Sequence, residues 1–169
     1  GMQVVIKPNI GWNAPPSHAN NTNPDLVEAV ARMCIARGAS VKIFDRPCDP
    51  QQLTYHNSGI YAAAQRAGAT IQYMGSRYRN VQVPNGLHLQ SLPVYEAILD
   101  ADFVINMPIA KHHSLARLTM GMKNLMGVIG GDRGIYHSHM DQNIVDFVKA
   151  IPTQLTILDA TRILIDHGP

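Results

Sequence analysis

The sequence predicts a doubly wound α/β domain: a mainly parallel sheet in a Rossmann-like three-layer sandwich, with a small β-hairpin insertion. Short apolar runs alternate with amphipathic segments of helical periodicity, which is the order of parallel βαβ units. Four apolar runs end on a polar group; they are residues 4–6 before Lys7, 41–44 before Asp45, 103–105 before Asn106 and 155–158 before Asp159. Because such folds bind ligands outside the carboxyl ends of their strands, we expect these positions to meet at one cleft.

The first half of the chain contains two predicted βα units. A helix begins after Asn23, which caps it, and ends at Gly38. A second helix is predicted over 60–67, and a short strand over 70–74 follows it. The polar loop over 11–22 is long for a simple connection between strand and helix, which is typical of a functional loop.

The second half begins with the predicted insertion. Residues 78–89 alternate around Pro84-Asn85-Gly86, which indicates a hairpin appended to the main sheet. A third helix is predicted from Pro93 to about residue 100, and another over 141–150. Between them, residues 107–141 are rich in Gly, His, Lys and Met and show no clear period.

Length and composition exclude several classes of protein. At 169 residues the chain is one domain, and 46% apolar against 15% charged residues indicates a globular fold. A formal net charge of only +2 gives no global attraction for nucleic acid or an anionic membrane. No run approaches the about 20 apolar residues of a transmembrane helix.

The ends of the chain and its cysteines set further expectations. Gly1 before Met2 resembles an expression scar, so residues 1–169 are expected to be a single domain that could be a fragment of a longer protein. We expect it to be soluble, and either cytoplasmic or exported through an upstream signal. Only Cys34 and Cys48 are present, so no iron–sulphur cluster is expected within this chain.

Lysine and histidine side chains at predicted strand ends suggest an anion site. Lys111 precedes two histidines in the loop after a strand, where a lysine neutralises a carboxylate or phosphate and an imidazole transfers a proton. Lys123-Asn124 and Lys7-Pro8-Asn9 occur in similar settings. The structural alternative is a solvated Lys7, with Asn9 closing a turn.

A transition-metal site is a second interpretation. His137, His139 and Asp141 occupy alternate positions, and with His113 they would form a ligand set for zinc, iron or nickel. Loop histidines are more often solvated than ligating. The glycines near residue 130 match neither the dinucleotide fingerprint nor the P-loop, and hydrolase and metalloprotease motifs are absent.

Taken together, these blocks resemble domain of unknown function family 362. The blocks that carry the resemblance are residues 5–9 (VIKPN), 22–24 (TNP), 41–45 (VKIFD), 106–113 (NMPIAKHH), 123–127 (KNLMG), Arg133 with His137, and 157–159 (ILD). The resemblance implies that the recurrent polar positions of the family are here Lys7, Asn9, Lys111, His113, Lys123, Asn124, Arg133 and His137. It also implies redox work, because many relatives join this domain to ferredoxin-like modules, so an iron–sulphur protein becomes a candidate partner.

The leading hypothesis is an enzyme, or the catalytic fragment of one, that acts on a small anionic substrate or cofactor. The expected catalytic residues are Lys111, His113 and His137, and the expected ligand-binding residues are Lys7, Asn9, Asp45, Lys123, Asn124 and Arg133. One alternative is a metal site of His113, His137, His139 and Asp141 that supports redox or isomerase chemistry. The other is a non-catalytic module that binds an anion or docks an iron–sulphur partner.

Overall fold

The computed structural model describes residues 1–168. Its strands are β1 (Gln3–Pro8), β2 (Ser40–Ile43), β3 (Thr70–Ile71), β4 (Tyr78–Gln82), β5 (Ser91–Tyr95), β6 (Phe103–Met107), β7 (Ile109–His113), β8 (Arg117–Thr119), β9 (Leu155–Thr156) and β10 (Asp159–Leu164). Its α-helices are α1 (Pro24–Ile35), α2 (Gln51–Asn57), α3 (Ile60–Ala67), α4 (Glu96–Leu99), α5 (Gly121–Asn124) and α6 (Met140–Ala150). Short 3-10 turns cover Pro16–His18, Leu125–Val128 and Arg133–His137.

A five-stranded parallel sheet forms the centre, in the order β3-β2-β1-β6-β9. Ile6 of β1 pairs with Ile43 on one side and Ile105 on the other, so the predicted apolar runs lie side by side. The parallel sheet and the α/β class are therefore confirmed. None of the helices within residues 1–168 combines the length and the apolar character needed to cross a membrane.

Helices cover both faces of this sheet. On one face, Val4 and Ile6 pack with buried side chains of α1 and α3, such as Val27 and Ile60. On the other face, Val5 packs in a cluster with buried residues of α4, α6 and the β4–β5 hairpin. Alternate residues of β1 thus enter two different cores, which gives the three-layer sandwich.

The first helix begins as the sequence predicts. The Asn23 Oδ1 atom accepts a hydrogen bond from the Asp25 backbone N–H at 3.0 Å, and Pro24 occupies the first helical position. The helix itself ends at Ile35, and Gly38 follows with a φ of +82°. The helix α2 over Gln51–Asn57 was not predicted from the sequence.

The insertion differs from its prediction in two ways. β4 and β5 pair antiparallel across a turn at Pro84, but the return strand is Ser91–Tyr95 and the pair forms a sheet of its own. Pro93 therefore lies within a strand and does not start a helix, because Leu92 and Val94 alternate into the core while α4 spans only Glu96–Leu99. On the side away from β4, the Pro93 carbonyl accepts the Gly130 backbone N–H at 2.7 Å, and Val94 forms an isolated bridge with Ile129.

The region over 107–141 folds into structure that the sequence did not predict. β7 pairs antiparallel with β8 and parallel with β10, which makes a second, three-stranded sheet beyond the end of β6. α5 and two 3-10 turns follow β8. The strand predicted over 155–158 is shorter, since β9 spans only Leu155–Thr156. This second sheet forms one wall of the cleft described below.

Candidate functional site

A cleft of about 520 Å³ opens beyond the carboxyl ends of the parallel strands. Its volume falls within the roughly 300–1,000 Å³ of small-molecule sites. The structure brings most of the sequence-predicted residues to its lining; these are Asn9, Asp45, Lys111, His113, Lys123, Asn124, Arg133 and His137.

Of the four strand-end groups only Asp45 lines the cleft, and Asn106, Asp159 and Lys7 do not. Asn106 is buried, and its side chain bonds to Gly121 and Asn124. Asp159 accepts the Asn23 backbone N–H at 2.7 Å and the Thr161 hydroxyl at 2.7 Å, so its carboxylate fixes local structure.

Lys7 lies beneath the cleft and is 0% exposed. Its ammonium contacts Asp45 Oδ1 at 2.7 Å, the Pro8 carbonyl at 2.8 Å and Asn124 Oδ1 at 3.1 Å, which matches its three N–H donors. Burial lowers the pKa of Lys7, while the Asp45 carboxylate opposes this shift. Because this ammonium is buried and all three of its N–H donors are bonded, we expect Lys7 to support the floor of the cleft instead of contacting a ligand.

Asp45 and Asn124 join this buried ion pair to the rest of the floor. The Asp45 carboxylate also accepts the Ile10 backbone N–H at 2.7 Å and the Arg46 N–H at 2.9 Å. Asn124 Oδ1 accepts from Asn9 at 3.1 Å and its Nδ2 donates to Asn106 Oδ1 at 2.7 Å. The floor is therefore a connected polar network whose members hold one another in place.

Four cationic side chains face the cleft without a carboxylate at ion-pair distance within residues 1–168; they are Arg46, Lys111, Lys123 and Arg133. Arg46 donates to the carbonyls of Ile129 and Gly131, both at 3.1 Å. Arg133 donates to backbone carbonyls over 46–47. These bonds orient the guanidinium groups and leave their charge uncompensated.

The two lysines of the cleft are destabilised as ammonium ions. Burial lowers the pKa of Lys111 to about 8, and the nearby charge of Lys123 acts in the same direction. Burial also lowers the pKa of Lys123 to about 8, with Arg133 adding like-charge repulsion. An anion bound between these groups would offset both penalties, because an opposite charge nearby favours the ammonium form.

His113 is held as a neutral imidazole. Its Nδ1 atom accepts backbone N–H bonds from Leu115 and Ala116, both at 3.1 Å. Burial lowers the pKa of His113 to about 4, and Lys123 is the next cause. The ring proton therefore belongs on Nε2 near neutral pH, so His113 can donate a hydrogen bond there but is poorly suited to carry a proton as imidazolium.

The four expected metal ligands are not gathered at one point. His113 and His137 both line the cleft, with ring centroids 6.1 Å apart and planes inclined by 21°. His139 instead packs against His88 at 4.6 Å, and Asp141 is exposed in the first turn of α6. No group of three or more metal-ligating side chains occurs in the part of the chain that the structure describes.

Sequence reasoning missed several lining residues. Arg46 directly follows the strand-end Asp45, so the same rule could have found it. Thr119 carries no such signal: it is 3% exposed, and its hydroxyl has no hydrogen-bond partner within residues 1–168. Trp12 and Cys48 also line the cleft; Trp12 comes from the long loop that was expected to be functional.

Fold and site together define an α/β domain with a cation-lined cleft at the carboxyl edge of its parallel sheet. The chain belongs to the family described as a domain of unknown function (DUF362), which matches residues 4–169. This confirms the resemblance seen in the sequence.

A curated relative extends the comparison. The chain is 28% identical over 179 residues to the thylakoid-associated protein sll1697 of Synechocystis sp. (strain ATCC 27184 / PCC 6803 / Kazusa). The match covers 100% of this chain and 54% of that protein, so the chain spans about half the length of the relative.

Among solved structures, the chain resembles the lactate racemase apoprotein from Thermoanaerobacterium thermosaccharolyticum. The TM-score is 0.44 at 11% sequence identity, and the match covers 95% of this chain and 43% of that one.

Proposed function

We propose that the cleft binds a small anionic substrate or cofactor, and that the domain is an enzyme or the catalytic part of one. The observation that carries the proposal is the set of four cationic side chains, none of them paired with a carboxylate in the described residues. Holding like charges together in a partly buried site is unfavourable unless an opposite charge joins them.

The two carboxylates of the cleft do not cancel this charge. Asp45 is paired with Lys7 at 2.7 Å, so of these two carboxylates Asp132 alone stands against the four cations, and it caps a 3-10 turn by accepting the Gly134 backbone N–H at 2.9 Å. The local balance is therefore positive even though the whole chain is nearly neutral. A ligand with a carboxylate or phosphate group fits this field.

Within this proposal the two histidines take different roles. His113 donates from a fixed Nε2–H, because its other nitrogen is occupied by two backbone donors. His137 is half-buried at the mouth, and its Nδ1 lies 3.3 Å from the Gly134 carbonyl, so it is the better candidate for proton transfer. Lys111 positions the anion.

Sulfate is expected to bind in the cleft and so to raise the melting temperature of the native protein. The variant Lys123→Met is expected to weaken sulfate binding at least about 30-fold, equivalent to about 2 kcal/mol. Methionine keeps the length of the stem and removes the charge. Thermal shift and isothermal titration at constant ionic strength measure both effects. Lys111→Met should act in the same direction.

Lys42→Met is the matched control, because Lys42 is exposed on β2 away from the cleft. It should leave sulfate affinity unchanged. Equal loss in the Lys42 and Lys123 variants, or retention of full affinity in the Lys111 and Lys123 variants, would contradict the proposal.

Sulfate binding is expected to weaken as the pH rises through about 8. The pKa values of Lys111 and Lys123 are lowered from 10.5 to about 8, so their ammonium forms disappear over that range.

The stability of the protein without sulfate should change in the opposite direction with pH. Between about 8 and 10.5 the unfolded chain holds more protons on these lysines, so the free energy of unfolding rises with pH.

Titration of sulfate at a series of pH values tests this coupling, since sulfate keeps its charge throughout. Proton uptake on binding near pH 8, seen as a dependence of the heat on buffer ionisation, is the expected signature. A flat affinity across the range would show that neither lysine titrates in the site.

The metal-dependent and iron–sulphur-docking interpretations stay predictions. For the metal interpretation, only His113 and His137 of the four ligands reach the cleft.

A further inference from the structure

We propose that Lys123 is an amine nucleophile, and that the anion bound in the cleft carries an aldehyde or ketone carbonyl. This inference rests on the proposed anion-binding function and deepens it by naming the class of ligand. Lys123 would form an imine with the carbonyl carbon, while the cations of the cleft hold the anionic group.

The two cleft lysines differ in how they are held. The Lys111 ammonium donates to Asn9 Oδ1 at 3.2 Å and to the Asn20 carbonyl at 2.8 Å, which orients it and occupies two of its hydrogens. Lys123 is half-buried, yet its Nζ atom has no hydrogen-bond or ion-pair partner within residues 1–168. Lys123 is thus the lysine whose lone pair is free to react.

Polar groups with unused hydrogen-bonding capacity line the same cleft as this amine. Lys111 and Thr119 are direct partners across the β7–β8 pair, and His113 lies two residues from Lys111, so the three side chains share one face. The Thr119 hydroxyl is buried without a hydrogen-bond partner in the described residues. Such a group lowers the stability of the fold unless a ligand forms the missing hydrogen bond. Together with His113 Nε2–H, the Thr119 hydroxyl offers two donors for the oxygen of a bound carbonyl.

The neutral form of Lys123 is accessible near neutral pH. Burial and the charge of Arg133 lower its pKa to about 8, so a useful fraction of the amine is unprotonated. Lys123 lines the same cleft as His113 and Lys111, and its charge contributes to the lowered pKa of both. A desolvated lysine beside other cations is a recurrent arrangement for imine formation.

The step balances without an oxidant or reductant. The Lys123 lone pair attacks the carbonyl carbon, a C–N bond forms as the C=O π bond breaks, and one proton moves from the nitrogen to the oxygen to give a neutral carbinolamine. The nitrogen then gives up its second proton as the C=N bond forms, and the hydroxyl takes up a proton and leaves as water. The net change is amine plus carbonyl to imine plus water.

Reductive trapping tests the proposal on the native chain. The protein is incubated near neutral pH with glyoxylate, the smallest anionic aldehyde, and sodium cyanoborohydride, whose hydride converts the imine into a stable secondary amine. Peptide mapping by mass spectrometry then locates the label. We expect Lys123 to be labelled at least about tenfold faster than the exposed Lys42. An ordinary lysine is almost wholly protonated near neutral pH, and the protonated amine does not attack the aldehyde.

Two variants sharpen the result. Lys123→Arg keeps the positive charge but has no amine that is unprotonated near neutral pH, so it should lose the label at this position. Thr119→Val should remain folded, because the buried hydroxyl it removes has no partner in the described chain, and its labelling at Lys123 should slow.

The outcomes separate this inference from the proposed function. Equal labelling of Lys123 and Lys42, or preferential labelling of Lys111, overturns the assignment of Lys123 as the nucleophile. If sulfate still binds in that case, the proposed anion site is retained. Absence of both labelling and sulfate binding would overturn both.

Discussion

Replacing Lys7 by methionine is expected to lower the free energy of unfolding by about 3–5 kcal/mol. The substitution removes an ammonium that is 0% exposed and leaves the Asp45 carboxylate, at 2% exposure, buried without its partner. The carboxylate would keep its two backbone donors, which cannot neutralise its charge. Urea unfolding of the variant and the wild type measures the difference.

Lys42→Met again serves as the control, since it removes an exposed lysine from the neighbouring strand and should cost little. The double variant Lys7→Met/Asp45→Asn should be more stable than Lys7→Met alone, because the second change removes the unpaired charge. A loss below about 1 kcal/mol for Lys7→Met would show that the pair does not stabilise the floor of the cleft.

Replacing Gly127 by alanine is expected to destabilise the protein by about 3 kcal/mol or more, since it acts on the same buried pair. A Cβ atom at this position would overlap Asp45 Oδ1 and lie 2.8 Å from Lys7 Nζ. The backbone cannot easily retreat, because the Gly127 carbonyl accepts the Arg46 N–H at 3.1 Å. The new methyl group must therefore displace the ion pair itself.

Gly75→Ala provides the matched control. A Cβ atom at Gly75 meets nothing within 4 Å, and no positive φ is required there. This variant should be neutral or slightly stabilised, because alanine lowers the entropy of the unfolded chain. If thermal unfolding shows the two variants to be equally stable, the tight packing of Gly127 on the pair is contradicted.

The rule that polar groups after parallel strands gather at one cleft succeeded for Asn9 and Asp45. It worked because the parallel pairing of β1 with β2 puts their carboxyl ends at the same edge. It did not carry over to Asp159, whose carboxylate accepts hydrogen bonds from Asn23 and Thr161. The prediction of a helix starting at Pro93 was wrong for a different reason. Burial of Leu92 and Val94 in a strand outweighed the local helix-start signal.

The alternation of strands and helices, the family, and the types of side chain that reach the cleft could all be predicted from the sequence. These features follow from local periodicity and from the shared direction of parallel strands. Which cations are neutralised depends instead on tertiary contacts. Lys7 and Lys111 look alike in sequence, but Lys7 is paired with Asp45 and bonded to Asn124, 117 residues away, whereas Lys111 meets only neutral acceptors.

The state of His113 and the unpartnered groups of Lys123 and Thr119 were likewise decided by tertiary contacts. The charge and reactivity of a polar group depend on its burial and on its neighbours in space. Those neighbours come from distant parts of the chain, and a local sequence pattern contains no record of them.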